Sequence, residues 1–249
     1  MALAVGRVFV IHVSTGAEER AAFMEAQLAR LGIPFEYVLD GDVSDLTPAL
    51  LERWFAGDMK RQRPGTSCCA KHLIAYERML RDGLDDALVL EDDACLTDDF
   101  VEALTLSLAE LRQRADASPG AAFISLENSG LRPIPGAVAS TTLYRAECGR
   151  ETGAYWLTRS VAERFLARAE KDKVHLPTPH FHNTFFLSGE IEIWWRHPAI
   201  AEQGSHGGKF DSLLHAGHKG PLRRPRWLAR KAFQMYVRPI LDRLIPRPK

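Results

Sequence analysis

The chain has no net charge, few cysteines and no long apolar run. Lysine plus arginine and aspartate plus glutamate balance at 32 each over 249 residues, so overall electrostatics select neither nucleic acid nor membrane as a partner. The four cysteines, Cys68, Cys69, Cys95 and Cys148, form no Cys-x-x-Cys pair and show no zinc-ligand spacing. This argues against a disulfide scaffold or a zinc ribbon and for buried, reduced thiols in a cytosolic protein. No stretch reaches the ~18 apolar residues that span a bilayer. Met1–Arg7 carries no charged leader before an apolar run, so no signal peptide is expected. Repeats and low-complexity linkers are missing too. What is present, 46% hydrophobic and 26% charged residues, is the composition of a globular protein with a sizeable core.

Along the chain, short β-branched runs alternate with helical patterns. Val8–Val13 reads as a buried strand. Thr15 and Glu18 form a capping box for a helix that stops at Gly32, and Phe35–Leu39 is a second strand. One βαβ unit of this kind argues for a parallel sheet. A helix from about Cys68 to Arg81 leads to a strand over Asp86–Leu90, then to a long helix capped by Thr97 and a strand over Ala121–Leu126. Strands are expected again over Val138–Arg145 and Ala154–Leu157, followed by a helix capped by Thr158. Pro177, Pro179 and the histidines 175, 180 and 182 suggest a loop before a last strand at Ile191–Trp195.

Chemistry concentrates at Glu91-Asp92-Asp93, which directly follows the apolar strand. Three adjacent carboxylates beside a core repel one another and resist desolvation. A hard divalent cation relieves both, and the C-terminal ends of parallel strands are where open α/β sheets bind ligands. A solvated acidic turn opening the next helix accounts for the same residues, and Asp98 and Asp99 fit that reading well.

Five segments in order resemble glycosyltransferase family 25, which includes bacterial lipopolysaccharide and lipooligosaccharide galactosyltransferases. They are Val8–Val13 with Arg20 behind it; Gly65–His72, similar to Gly-Glu-Ile-Gly-Cys-x-x-Ser-His; and Ala87–Asp93 with Phe100, similar to strand, Glu-Asp-Asp and Asp-Phe. Thr152–Arg159 is similar to Gly-Thr-x-x-Tyr-x-Ile-Ser-Arg, and Pro198 with Gln203 to Pro-x-x-x-x-Gln. Thr66, Cys68 and Lys71 depart from the second segment. Leu176–His180 has no aspartate where the family has Pro-x-Asp.

The resemblance implies a GT-A-like nucleotide-sugar fold, α/β with a mostly parallel central sheet, occupying residues 1–218. It implies inversion at the anomeric carbon and UDP-galactose as donor. Mn²⁺ or Mg²⁺ is expected on Asp93, with His206 completing the metal site. His12, Arg20, Asp40, His72, Glu91 and Asp92 are expected around the donor. The general base is open among Glu127, Glu151 and Glu190, with Glu151 preferred for its place beside the Thr152-Gly153 motif.

Residues 219–249 hold ten Lys/Arg against Asp242 alone, so the tail carries about +9 and the body about −9. Basic residues alternate there with Trp227, Leu228, Phe233, Met235, Tyr236, Val237, Ile240 and Leu244. This predicts a basic amphipathic helix lying on an anionic membrane, with a saccharide or lipid-linked glycan acceptor at the cytoplasmic face. The same helix packing on the acidic body is the competing reading. No recognition motif accompanies the charge, so nucleic acid is not expected. A metal-dependent phosphohydrolase and a non-catalytic sugar-nucleotide or glycan binder remain as rival functions, the latter because of the missing aspartate.

Overall fold

The computed structural model describes residues 3–114, 120–132, 134, 141–211, 213, 223–238 and 241. Strand β1 (Val8–Ile11) is buried throughout and leads into α1 (Glu18–Leu31). Gly32 ends α1 in the left-handed region at φ 65°, a conformation that only a residue without Cβ adopts freely, and its N–H bonds the carbonyl of Ala29. Thr15 does not cap this helix. The flanking position is Ala17, while Glu18 bonds back to the Gly16 N–H at 3.0 Å.

β2 (Glu36–Val38), α2 (Pro48–Trp54) and α3 (Pro64–Arg81) follow. α3 starts four residues before the expected Cys68 because Pro64 occupies its first turn, where a missing N–H costs nothing. Next come β3 (Asp86–Glu91), β4 (Ala94–Leu96), α4 (Phe100–Arg114), β5 (Ala122–Ser125), β6 (Leu143–Ala146) and β7 (Ala154–Thr158). The chain continues through α5 (Arg159–Lys171), α6 (Thr178–Leu187), β8 (Glu192–Arg196), β9 (Ala201–Gln203), α7 (Gly204–Gly207) and α8 (Arg223–Ala232).

Seven strands form one sheet in the order β2-β1-β3-β7-β5-β8-β6, and β4 pairs with β9 in a second small sheet. β2, β1, β3, β5 and β8 run in one direction, and β7 and β6 oppose them. The fold is therefore α/β with a mostly parallel central sheet, as expected. Alternate residues of β1 and β3 feed two cores. Phe9, Ile11, Ala87 and Val89 pack with α3, α5 and α6, while Val8, Val10, Leu88 and Leu90 pack with α1 and α4.

Three local expectations are corrected. The Pro177–His182 segment is helical, not a loop. Pro179 sits in the first turn of α6, and the helix buries Phe181, His182, Phe185 and Phe186 against the sheet. Thr97 has a buried hydroxyl with no hydrogen-bond partner and does not cap α4. Thr158 turns its hydroxyl to the Gly120 carbonyl at 2.9 Å instead of capping α5. In the expected strand over Val138–Arg145, positions 138–140 lie outside the described residues.

Among the described residues no helix is long and apolar enough to cross a membrane. α8 rests against α7: a Cβ on Gly208 would come 3.0 Å from the Arg224 backbone nitrogen, and Lys231 pairs with Glu202.

Candidate active site

The three acids leave the C-terminal end of β3 beside the end of β1, and the tertiary structure gives each a different setting. Asp92 is buried and doubly paired. His12 Nδ1 lies 2.8 Å from one oxygen, and Arg20 NH1 lies 2.5 Å from the other. Arg20 also donates to the Asp211 carbonyl at 2.6 Å. His12 continues from β1, and its ring packs on Tyr37 at 5.0 Å. Thus three residues expected around the donor hold one another and fix the turn after β3. This pairing satisfies both oxygens of Asp92.

Glu91 accepts the Thr152 hydroxyl at 2.7 Å and the Gln203 amide at 3.0 Å, and His72 Nε2 lies 3.5 Å from its Oε1. Burial opposes its ionisation, but His72 and Thr152 outweigh that and hold its carboxyl below the usual range. Gly153 makes this arrangement possible, because a Cβ there would stand 2.4 Å from Gln203 Cγ.

Asp93 differs from both. Its Oδ2 accepts the backbone N–H of Ser205 at 2.9 Å, and its carbonyl accepts that of Gly204 at 2.7 Å, so the first turn of α7 folds over it. Oδ1 is buried without a hydrogen-bond partner. Burial and the neighbouring Glu91 raise its carboxyl above the usual range. A buried, unpartnered carboxylate oxygen in a corner of like charge fits the oxygen donor a hard divalent cation needs. His206, expected as a second ligand, is exposed on α7 one residue after Ser205.

Asp40 stands apart from the acids. Its side chain is 75% exposed and pairs with Arg78 of α3 at 2.5 Å. Lys71, where the family segment has serine, is buried and ties Asp42 at 2.9 Å and the carbonyls of Val38, Leu39 and Asp40 to α3. It ties the loop after β2 to α3.

The three candidate bases separate clearly. Glu127 is fully buried and accepts the N–H groups of Ser129 and Glu151, each at 2.6 Å. Glu190 is gripped by Arg168 at 2.8 Å through both oxygens. Glu151 is half-buried, one residue before Thr152. Its carboxyl is raised by burial and by the negative charges of Glu127 and Glu91, against an opposing pull from His206. It is the candidate that electrostatics tie to the acid cluster.

Sequence reasoning placed Gln203 and Thr152 only in motifs and assigned them no role. Ser205 lies in the loop of residues 203–208, which the sequence marks as able to complete a metal site or close over a diphosphate through backbone N–H groups, and its N–H goes to Asp93.

The model of Glycosyltransferase family 25 (LPS biosynthesis protein) matches residues 6–129, which carry β1 through β5 and all three acids. No curated protein matches the chain. Among solved structures, a UDP-glucose pyrophosphorylase complexed with UDP-glucose is similar at TM-score 0.38 and 11% identity, over 76% of this chain and 89% of that one. Mouse xyloside xylosyltransferase 1 gives 0.33 and 11% over 74% and 81%, and the inositol-1-phosphate CTP transferase from T. maritima gives 0.39 and 10% over 92% and 98%.

Proposed function

The chain belongs to glycosyltransferase family 25 and is a sugar transferase, and we propose that it moves galactose from UDP-galactose, with inversion, onto a saccharide acceptor of lipopolysaccharide or another surface glycan. The observation that carries this reading is the division of labour at β3. Asp92 is fully paired, Glu91 is oriented by Thr152 and Gln203, and Asp93 alone keeps a buried oxygen without a partner. Such an oxygen is the kind of donor a hard divalent cation takes.

Mn²⁺ or Mg²⁺, when bound, neutralises charge on the departing diphosphate. Asp93 would hold the cation through its unpartnered Oδ1, and its other oxygen is fixed by the Ser205 N–H. Glu91 and His72 border the donor. Glu151 takes the proton of the attacking acceptor hydroxyl, a role its raised pKa suits. His12, Arg20 and Asp92 position the turn.

Calorimetry with UDP-galactose, UDP-glucose and UDP, each with Mn²⁺ and with EDTA, tests the reading. Metal-dependent binding of the galactose donor is expected, and Glu151→Gln should keep that binding while losing acceptor turnover. Absence of binding to all three would sink the proposed donor class.

The segment from residue 219 onward attaches the enzyme to the inner, cytoplasmic membrane face, where a lipid-linked acceptor resides. Exposed Leu228 and Phe233 beside Arg224, Arg226 and Arg230 support this. Flotation with anionic liposomes should be lost when residues after Gly220 are removed; tail-independent flotation, or none, rejects it.

A further inference from the structure

Beyond sugar transfer, α3 and β3 bring Cys68 and His72 to Glu91, a meeting that the cysteine spacing does not reveal. Cys68 and His72 are four residues apart on α3 and so share a face. That face meets Glu91 at the end of β3. One ligand atom from each of Cys68, His72 and Glu91 lies within 4.8 Å of the others. His72 is fully buried, its Nε2 has no hydrogen-bond partner, and that nitrogen stands 3.5 Å from Glu91 Oε1. In a tetrahedral site with bonds of ~2.1 Å, neighbouring ligand atoms are about 3.4 Å apart. The His72–Glu91 edge already has that length. The widest separation must close by about 1 Å, which longer metal–sulfur bonds of ~2.3 Å and a turn of the Cys68 side chain supply.

We propose that Cys68, His72 and Glu91 form a binding site for a thiophilic divalent cation of the zinc class, separate from the hard-cation position on Asp93. The donor set decides the class. A thiolate and an imidazole favour zinc-like ions, whereas manganese and magnesium favour carboxylate and water. Three protein ligands leave a fourth position for water or another oxygen donor. On binding, the Cys68 thiol loses its proton to solvent as the sulfur–metal bond forms. In the metal-free protein, burial and the charges of Glu91, Asp92 and Asp93 push that thiol well above its ordinary pKa. The same negative surroundings attract a cation.

The imidazole is set up from behind. His72 Nδ1 lies 2.7 Å from the Tyr155 hydroxyl, which lies 2.6 Å from that of Tyr76, itself 3.0 Å from His182 Nε2. Burial drives His182 well below its ordinary pKa, so it remains neutral and can accept at the chain's end. When protons run from His72 through Tyr155 and Tyr76 to His182, Nδ1 carries the hydrogen and Nε2 presents a bare lone pair to the metal. Tyr155 is thus a positioning residue for the ligand.

Titration of the full-length, metal-free protein with Co²⁺ alone tests this by absorption. A near-ultraviolet thiolate-to-cobalt band is expected in the wild type, displaced by Zn²⁺. Cys68→Ser should abolish the band, and Asp93→Asn should leave it. Tyr155→Phe, which keeps the ring, should weaken cobalt binding by about 10–100-fold. Circular dichroism of each variant confirms folding. A wild-type protein without the band, or a band that survives in Cys68→Ser, overturns the proposal. Neither result bears on UDP-galactose binding, so the two readings fail separately.

Discussion

Asp93→Asn is expected to abolish sugar transfer while leaving the protein at least as stable as before. The two effects come from the same atom. Oδ1 of Asp93 is buried and unpartnered, and burial together with Glu91 raises the carboxyl above its usual range. Ionising the group therefore costs more in the folded chain than in the unfolded one. That cost develops as pH rises from the unfolded carboxyl's range through the raised folded value, and it persists at neutral pH. Asparagine removes the charge but keeps an oxygen for the Ser205 N–H, now 2.9 Å from Oδ2. The thermal midpoint should stay level or rise at pH 7, and the difference should vanish in acid, where the wild-type carboxyl is protonated. Transfer loses its charge-neutralising ligand, and kcat/KM should fall by at least about 10²–10³-fold. Activity within tenfold of wild type would mean that Asp93 holds no ion needed for transfer. A large fall in midpoint would mean that its carboxylate is structural.

Arg20→Met is expected to produce the largest loss of stability. Arg20 and Asp92 are nearly inaccessible, at 10% and 8% side-chain exposure, and sit 2.5 Å apart. Methionine fills much of the same space but leaves Asp92 buried with only His12 beside it. Removing one partner of a buried ion pair costs about 3–5 kcal/mol, because the remaining charge stays desolvated. Urea unfolding should show the midpoint falling with an unchanged slope. A loss under about 1 kcal/mol would show that water reaches Asp92, and that the pair behaves as a surface bridge. The replacement also releases the Asp211 carbonyl, so the segment after α7 loses an anchor. Activity in Arg20→Met should fall less steeply than in Asp93→Asn, since the acid that faces the ion is untouched.

Much of this architecture is written locally. The β-branched run at Val8–Val13 and the apolar run at Asp86–Leu90 make buried parallel strands, and Gly32 stops α1, because these signals act over a few residues. The acidic triplet after β3 could be recognised as a site for the same reason, as a like-charged cluster at a strand end. Pro177–His182 misled because two prolines read as breakers, whereas Pro179 falls in a first helical turn and aromatic burial against the sheet does the rest. Within the triplet, residue type alone gives the three acids equal standing, and Asp93 is singled out for the metal only by the family resemblance. Only contacts made across 61 to 112 residues of chain, from Thr152, Arg20, His12, Gln203 and Ser205, pair Asp92, orient Glu91 and leave Asp93 an open oxygen. The meeting of Cys68 and His72 with Glu91 is likewise invisible in cysteine spacing, since it depends on how α3 packs against β3. Residue type and period thus determined the strands, helices and acidic centre. Desolvation and long-range pairing, which exist only once the sheet is assembled, decided what each acid is free to do.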